Sequence, residues 1–267
     1  MDKPVLQEGQ MLILSIFIFI TGLVIGSFLN VCIYRLPRGE SLIFPPSHCP
    51  ECGSPIRWYD NIPLVSYLLL KGRCRTCSHA ISPVYPLVEG SCGLLYLLTF
   101  LSHYLKTFSL LAFFKDILFI SFLIPIFFID LKNQIIPNSL SYGLLMAGII
   151  FGYLEGSFLQ SLLGAGTGAG ILLGVYFLGY LFLRQESFGI GDVKLAAGIG
   201  AFLGWRKALL CLFLSFILGG LLCGLLLLLH LKERRDKIPF APFLVTGALL
   251  SIFLGEKLIY LYFTGWS

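Results

Sequence analysis

The feature that most constrains this chain is the repetition of long apolar segments along its 267 residues. Hydrophobic residues make up 57% of the sequence and charged residues only 12%. A membrane-spanning helix needs about 20 consecutive apolar residues, and such stretches recur throughout the chain. We therefore predict an all-α polytopic membrane protein with about eight transmembrane helices, at residues 11–31, 87–105, 109–130, 139–155, 158–183, 192–205, 207–230 and 241–263.

The first apolar segment resembles a secretory signal at first sight. It is longer than a typical signal core, and it lacks both a small-residue cleavage site and a basic flank before it. We expect it to be a retained membrane helix within residues 1–31.

The positions of the basic residues predict the orientation of the chain. An N-terminus outside the cell places most of the 19 Lys and Arg residues in cytoplasmic loops, as the positive-inside rule requires. The net charge of +5 then reflects topology. No basic patch interleaved with aromatic residues stands apart from the span ends, so we expect a lipid bilayer and no nucleic acid among the partners.

One hydrophilic stretch, residues 32–86, interrupts the spans and carries two Cys-x-x-Cys pairs, Cys49 with Cys52 and Cys74 with Cys77. Four thiolates at tetrahedral corners are the ligand set of a structural zinc ion. The alternative is two disulfides, which would not persist in a reducing cytoplasm. We predict a small zinc-ribbon-like cytoplasmic domain whose metal supplies folding energy, followed by a membrane core at residues 87–267.

Carboxylates beside apolar segments are the most informative polar residues, because charge within a membrane is costly. Asp130 closes the third predicted span and Asp192 opens the sixth, so both lie at cytoplasmic ends. Two neighbouring carboxylates would share a proton and activate water, as in aspartic proteases. The alternative is that each acid only interacts with a helix end.

The segment "FGIGDVKL" surrounds Asp192 with small residues. We expect Gly189 and Gly191 to permit a bent, closely approached backbone and to leave room for an extended substrate. We expect Lys194, in the same segment, to contribute with these glycines to the geometry of the substrate site. The run "GAGTGAG" from Gly164 places small residues four apart, a spacing that allows membrane helices to pack closely.

Several ordered blocks resemble a known family. They are "GSFLNVCIYRLPRGES" from Gly26, the cysteine segment from Cys49 to Glu89, "IDLKNQIIPN" around Asp130 and "GIGDVKLAAGIGAFLG" around Asp192. Together they resemble the bacterial type IV prepilin peptidases, also called prepilin leader peptidase/N-methyltransferases.

The resemblance implies a multi-pass inner-membrane aspartic peptidase of the GxGD type with Asp130 and Asp192 as its catalytic pair. It implies removal of the basic leader of prepilins or pseudopilins after a glycine on the cytoplasmic side, in support of type IV pili or type II secretion. It also implies N-methylation of the new N-terminal residue with S-adenosylmethionine, and it associates the zinc domain with methyl transfer. A peptidase without methyl transfer remains an alternative.

Glu89 is a further candidate in the segment "YPLVEGSCGLLYLL". Relatives read like "YPLVELLT", so Glu89 matches while Gly90 and Ser91 depart. We expect its carboxylate to hold the substrate's new α-ammonium group or the sulfonium of the cofactor. The alternative is a polar residue near a helix start, satisfied by an arginine or by backbone.

A non-enzymatic membrane scaffold or transporter is the competing class, with the acids serving as an ion path. The sequence lacks the internal repeat that many transporters show.

Overall fold

The computed structural model describes residues 8–105, 108–183, 189–231 and 238–264, and within these ranges all regular secondary structure is helical. This confirms the predicted all-α class. The α-helices are α1 (Glu8–Arg35), α2 (Val65–Leu69), α3 (Val84–Tyr104), α4 (Leu110–Asn133), α5 (Asn138–Leu154), α6 (Phe158–Leu183), α7 (Ile190–Leu228), α8 (Ala241–Phe253) and α9 (Gly255–Thr264). The chain divides into two compact units, Met1–Pro125 and Ile126–Ser267.

In the first unit, α1 and α3 pack with their backbones in contact. A methyl group added to Gly22 would lie 2.7 Å from the Cα of Gly93, and one added to Gly26 would lie 2.7 Å from the Cα of Glu89. No side chain fits at such separations, so glycine is what permits this approach. The contact places Glu89 directly against the first helix.

α3 and the first part of α4 are joined by polar side chains. The hydroxyl groups of Tyr96 and Ser121 are 2.7 Å apart, and His103 Nε2 lies 2.9 Å from an oxygen of Asp116. Hydrogen bonds between membrane helices stabilise their association, because few polar partners are otherwise available in lipid.

The two Cys-x-x-Cys pairs form turns of the same geometry. In the first turn the Gly53 N–H donates to the Cys49 carbonyl at 2.9 Å, and in the second the Ser78 N–H donates to the Cys74 carbonyl at 3.0 Å. Gly53 and Ser78 both have left-handed backbones, with φ of 67° and 60°. A short antiparallel bridge closes each turn, His48 to Pro55 and Arg73 to Ala80.

In the second unit, α5, α6 and the first part of α7 pack through small residues. A methyl group on Gly164 would lie 2.0 Å from the Gly200 carbonyl oxygen, and one on Gly168 would lie 2.2 Å from that of Ala196. The second part of α7 packs on α8, where the Ser215 hydroxyl donates to the Phe243 carbonyl at 3.0 Å. The predicted close packing of the glycine run is thus confirmed at Gly164 and Gly168.

The first seven predicted spans coincide with a described helix or part of one, whereas the eighth, 241–263, covers two helices, α8 and α9, with a bend of 77° between them. α1, α3, α4, α6 and α7 are long and apolar enough to cross a bilayer, and the bent pair of α8 and α9 would form a sixth crossing. α5 is shorter, with 17 residues. α7 is interrupted at Gly204, where φ is 72° and ψ is 165°, which is close to the predicted boundary between the sixth and seventh spans. The number of eight crossings stays a prediction.

Some of the basic residues that predicted the orientation lie outside the described residues. They are Lys3, Lys106, Arg184, Lys232, Arg234, Arg235 and Lys237.

Candidate active site and metal centre

Asp130 lies in the last turn of α4 and is only 5% exposed. Its Oδ2 accepts a hydrogen bond of 3.2 Å from the backbone N–H of Ala241, the first residue of α8. The first N–H groups of a helix have no partner within the helix and carry partial positive charge. A buried carboxylate at this position therefore accepts a hydrogen bond and is also stabilised by the helix dipole.

Asp192 lies in the first turn of α7 and is partly exposed. Its Oδ2 accepts from the Gly189 N–H at 3.2 Å, and its own N–H donates to the Gly189 carbonyl at 3.0 Å. These two bonds fix the carboxylate at the start of the helix, where the helix dipole favours negative charge.

The structure differs from the sequence prediction at Gly189. Its φ of −74° and ψ of 146° are extended values that any residue adopts, so the backbone there does not require glycine. The predicted close approach is present at Gly191, where a methyl group would lie 3.3 Å from the Cβ of Ile136. Ile136 belongs to the segment that follows Asp130 and α4.

The structure brings Asp130 and Asp192 together within the second unit. The two carboxylates lie near enough to each other for an electrostatic interaction. Lys194 strengthens this arrangement, because its Nζ donates to Asn138 Oδ1 at 2.9 Å and lies 5.3 Å from the centre of the Tyr142 ring. The start of α7 is thereby tied to the start of α5, which follows Asp130 in the chain.

An apolar cavity of about 480 Å³ is lined by residues on both sides of Asp130 in the sequence. Phe127 and Leu131 line it from α4, Gln134 lines it from the position just after α4, and Pro242 lines it from the position after Ala241. The remaining lining residues are Leu222, Leu226, Ile238, Pro239, Phe243 and Thr246. A cavity with these walls could accept a large apolar side chain.

Glu89 lies in the first unit and is 8% exposed. Its Oε2 accepts a hydrogen bond of 2.8 Å from the Leu64 N–H. Leu64 itself has φ of 59° and ψ of −47°, an unfavourable conformation for a residue with a side chain. Glu89 thus stabilises, through this hydrogen bond, the unfavourable backbone conformation of Leu64 just before α2.

The four cysteines predicted as ligands form one cluster. The sulfur atoms of Cys49, Cys52, Cys74 and Cys77 all lie within 4.8 Å of one another, and those of Cys49 and Cys77 are 3.8 Å apart. A tetrahedral zinc site with bonds of about 2.3 Å requires sulfur atoms about 3.8 Å apart. The cluster therefore fits a tetrahedral metal ion with little rearrangement.

Hydrogen bonds favour the thiolate form at two of these positions. Ser54 lowers the pKa of the Cys52 thiol to about 6, first through its side chain and then through its backbone. The backbone N–H groups of Cys77 and Thr76 lower the pKa of Cys74. At Cys77 a backbone bond from His79 lowers the pKa, but desolvation and the three neighbouring sulfurs outweigh it and raise the value to about 12. A bound cation would favour the thiolate form at all four positions, because cysteine binds a metal ion as the thiolate.

A salt bridge fastens the second cysteine turn to the preceding segment. Arg75 donates from Nε and Nη2 to the two oxygens of Asp60, with the shortest contact at 2.5 Å. This guanidinium group holds the pKa of Asp60 below its usual range.

Sequence reasoning did not find Ala241 as a partner of Asp130. The proline at 242 marks a helix start, but the two bonded residues are 111 positions apart, so no local pattern reveals the contact. It also did not find Leu64, whose strained backbone depends on the distant Glu89.

The fold and site define a polytopic membrane protein with two aspartates in one unit and a tetracysteine cluster able to hold a metal ion in the other. Residues 20–103 match the bacterial peptidase A24 N-terminal domain, and residues 117–224 match the type IV leader peptidase family. The chain belongs to this family.

Curated relatives named prepilin leader peptidase/N-methyltransferase cover most of the chain. The protein of Myxococcus xanthus is 40% identical over 217 residues, which are 80% of this chain and 63% of that protein. The protein of Klebsiella pneumoniae is 40% identical over 71% of this chain and 85% of its own length. The protein of Aeromonas salmonicida is 34% identical over 90% of this chain and 91% of its own length. No solved structure matches the chain.

Proposed function

We propose that this protein is a membrane aspartic endopeptidase that removes the basic leader of type IV prepilins or pseudopilins after a glycine and then N-methylates the new N-terminal residue. The observation that supports the peptidase half is that Asp130 and Asp192 lie in one unit, near enough to interact electrostatically, each with a backbone N–H donor. Membership of the type IV leader peptidase family supports the substrate class.

The proposed cleavage uses the two carboxylates as one pair that holds a single proton. The ionised carboxylate removes a proton from a water molecule while the water oxygen attacks the glycine carbonyl carbon. The protonated carboxyl group donates a hydrogen bond to the carbonyl oxygen and stabilises the tetrahedral intermediate. The C–N bond then breaks as the nitrogen takes up a proton, which leaves a carboxylate on the leader and an amine on the mature chain.

The apolar cavity lined by Phe127 and Leu131 supports a site for the residue that follows the scissile bond. Its walls are formed mainly by Phe, Leu, Ile and Pro side chains from α4, α7, α8 and the segment just before α8. A substrate segment that is polar before the cleaved bond and apolar after it would place the apolar part in this cavity and in the surrounding lipid. We propose Gly191 and Lys194 as residues that shape the approach to Asp192, since they contact Ile136 and Asn138.

The tetracysteine cluster is proposed to hold a structural Zn²⁺ ion. Its sulfur spacing and thiolate-favouring hydrogen bonds fit that ion, and all four ligand positions are filled by protein, which leaves no open position for catalysis. The proposed orientation places this domain and the carboxylate pair on the cytoplasmic side of the inner membrane and the N-terminus outside.

Methylation would take its methyl group from S-adenosylmethionine. The Glu89 carboxylate accepts a hydrogen bond from the Leu64 backbone. This contact supports the alternative in which backbone satisfies Glu89. We propose that Glu89 supports methyl transfer by positioning the segment that leads from α2 to the cysteine turns.

The test is an assay of the purified protein in detergent with a prepilin and labelled S-adenosylmethionine. Asp130→Asn and Asp192→Asn keep the side-chain shape but cannot share a proton, so cleavage should fall by more than about a hundredfold. Asp116→Asn is the matched control, because this acid pairs with His103 instead. Mass spectrometry reports leader removal and methylation separately. Normal cleavage by either dyad variant would refute the assignment.

A further inference from the structure

We propose that α2 inserts its leucine side chains into the interfacial layer of the bilayer and so anchors the tetracysteine domain to the membrane surface. α2 spans Val65–Leu69, and its Leu68 and Leu69 are 72% and 76% exposed. Adjacent large apolar side chains on a loop domain mark an interaction surface. The question is which partner covers them.

The depth of α2 points to lipid. α3 has 21 residues and is therefore about 32 Å long, close to the hydrocarbon thickness of about 30 Å. Glu89 lies five residues after Val84, about 8 Å along the helix axis. The Leu64 N–H is bonded to Glu89, so the chain enters α2 from a level within the membrane-spanning length of α3.

The short length of α2 keeps it near that level. Five helical residues extend over about 8 Å, so Leu68 and Leu69 remain within about two helical turns of Glu89 in depth. Leu87, two residues before Glu89 on α3, is also exposed, at 57%. The exposed leucines of α2 therefore lie at about the same depth as an exposed apolar residue of the membrane-spanning α3.

The polar residues near α2 fit the same placement. Ser66 is buried, and its hydroxyl donates to the Tyr59 carbonyl at 2.9 Å, so the polar side of the helix faces the domain. Lys71 and Arg73 follow α2 and are exposed. A pattern of leucines followed by basic residues suits an interfacial segment whose cations reach the lipid phosphates.

The anchor can be tested with tryptophan fluorescence in proteoliposomes made from brominated lipids. Bromine quenches tryptophan only at close contact. Trp58, Trp205 and Trp266 are first replaced by Phe, and a single tryptophan is then introduced as Leu69→Trp. Leu94→Trp, on an exposed position of α3, is the lipid-facing control, and Ala80→Trp, on the second cysteine turn, is the control for water exposure.

We expect Leu69→Trp to be quenched to a similar extent as Leu94→Trp, and more strongly by bromine near the headgroup end of the acyl chain than by bromine at its middle. Ala80→Trp should be quenched weakly. Leu68→Trp serves as a second reporter, and retained metal in each variant shows that the domain is folded. Quenching of both leucine replacements at the level of Ala80→Trp would overturn the proposal and assign this surface to a protein partner. Neither result depends on peptidase activity.

Discussion

At the scale of single residues, Glu89 is the position where two explanations make different predictions. If its role is to accept the Leu64 N–H, Glu89→Gln keeps an acceptor and should retain methyl transfer within a few fold. Glu89→Leu has a similar size but leaves that buried donor without a partner, a cost of about 1–3 kcal/mol, and should lose methylation. Both variants should still cleave, because Asp130 and Asp192 lie in the other unit.

The measurement is the ratio of methylated to unmethylated mature product by mass spectrometry. Equal loss of methylation in Glu89→Gln and Glu89→Leu would show that the charge itself is needed, and would restore the direct cofactor contact that the sequence suggested.

Single residues also show how far sequence reasoning reaches. The four cysteines and the two aspartates could be identified because a charged or metal-binding side chain in an apolar chain is rare and costly. The donors to the two aspartates could not be identified, because Ala241 and Gly189 act through backbone N–H groups that any residue other than proline could supply. The same is true of Leu64, which donates to Glu89. The backbone of Ser78 could not be predicted either. It has a left-handed φ of 60°, although the equivalent position of the first cysteine turn is a glycine, Gly53.

At the scale of helices, the packing of α6 on α7 depends on only some glycines of the run 164–170. A methyl group on Gly168 would lie 2.2 Å from the Ala196 carbonyl oxygen, whereas one on Gly170 meets nothing within 4 Å. Gly168→Ala should therefore destabilise the helix pair by about 1–3 kcal/mol through overpacking. Because α7 carries Asp192, cleavage should fall as well.

Gly170→Ala is the matched control in the same helix. It should leave stability and cleavage unchanged or slightly improved, since alanine is the better helix former. Thermal unfolding in detergent and the cleavage rate are the measurements. Equal effects of the two substitutions would contradict the packing described for α6.

The spacing of small residues predicted that this helix packs closely, and that prediction holds. It could not identify the neighbour, because Gly164, Gly166, Gly168 and Gly170 look alike in sequence and only two of them contact α7. The break at Gly204 was visible only as an approximate boundary between two spans. The sequence shows a glycine at position 204, but many other glycines in this chain have ordinary helical angles, so the left-handed φ of 72° could not be predicted from the residue type.

At the scale of the whole molecule, the division into Met1–Pro125 and Ile126–Ser267 separates the tetracysteine cluster from the two aspartates. Removal of the proposed metal ion should therefore affect the two activities unequally. Cys49→Ser deletes one of four ligands, and without the metal a domain with little apolar core loses its main source of folding energy. Methyl transfer should fall at least tenfold while leader cleavage stays within a few fold of wild type.

Cys223→Ser is the control, because this cysteine lies on α7 outside the cluster. Metal content of the purified variants, measured by mass spectrometry of the element, is read together with both activities. Retention of the metal by Cys49→Ser would refute the ligand assignment. Loss of the metal with an equal fall in cleavage and methylation would instead show that the carboxylate pair depends on the metal centre, and the two units would then act as one catalytic body.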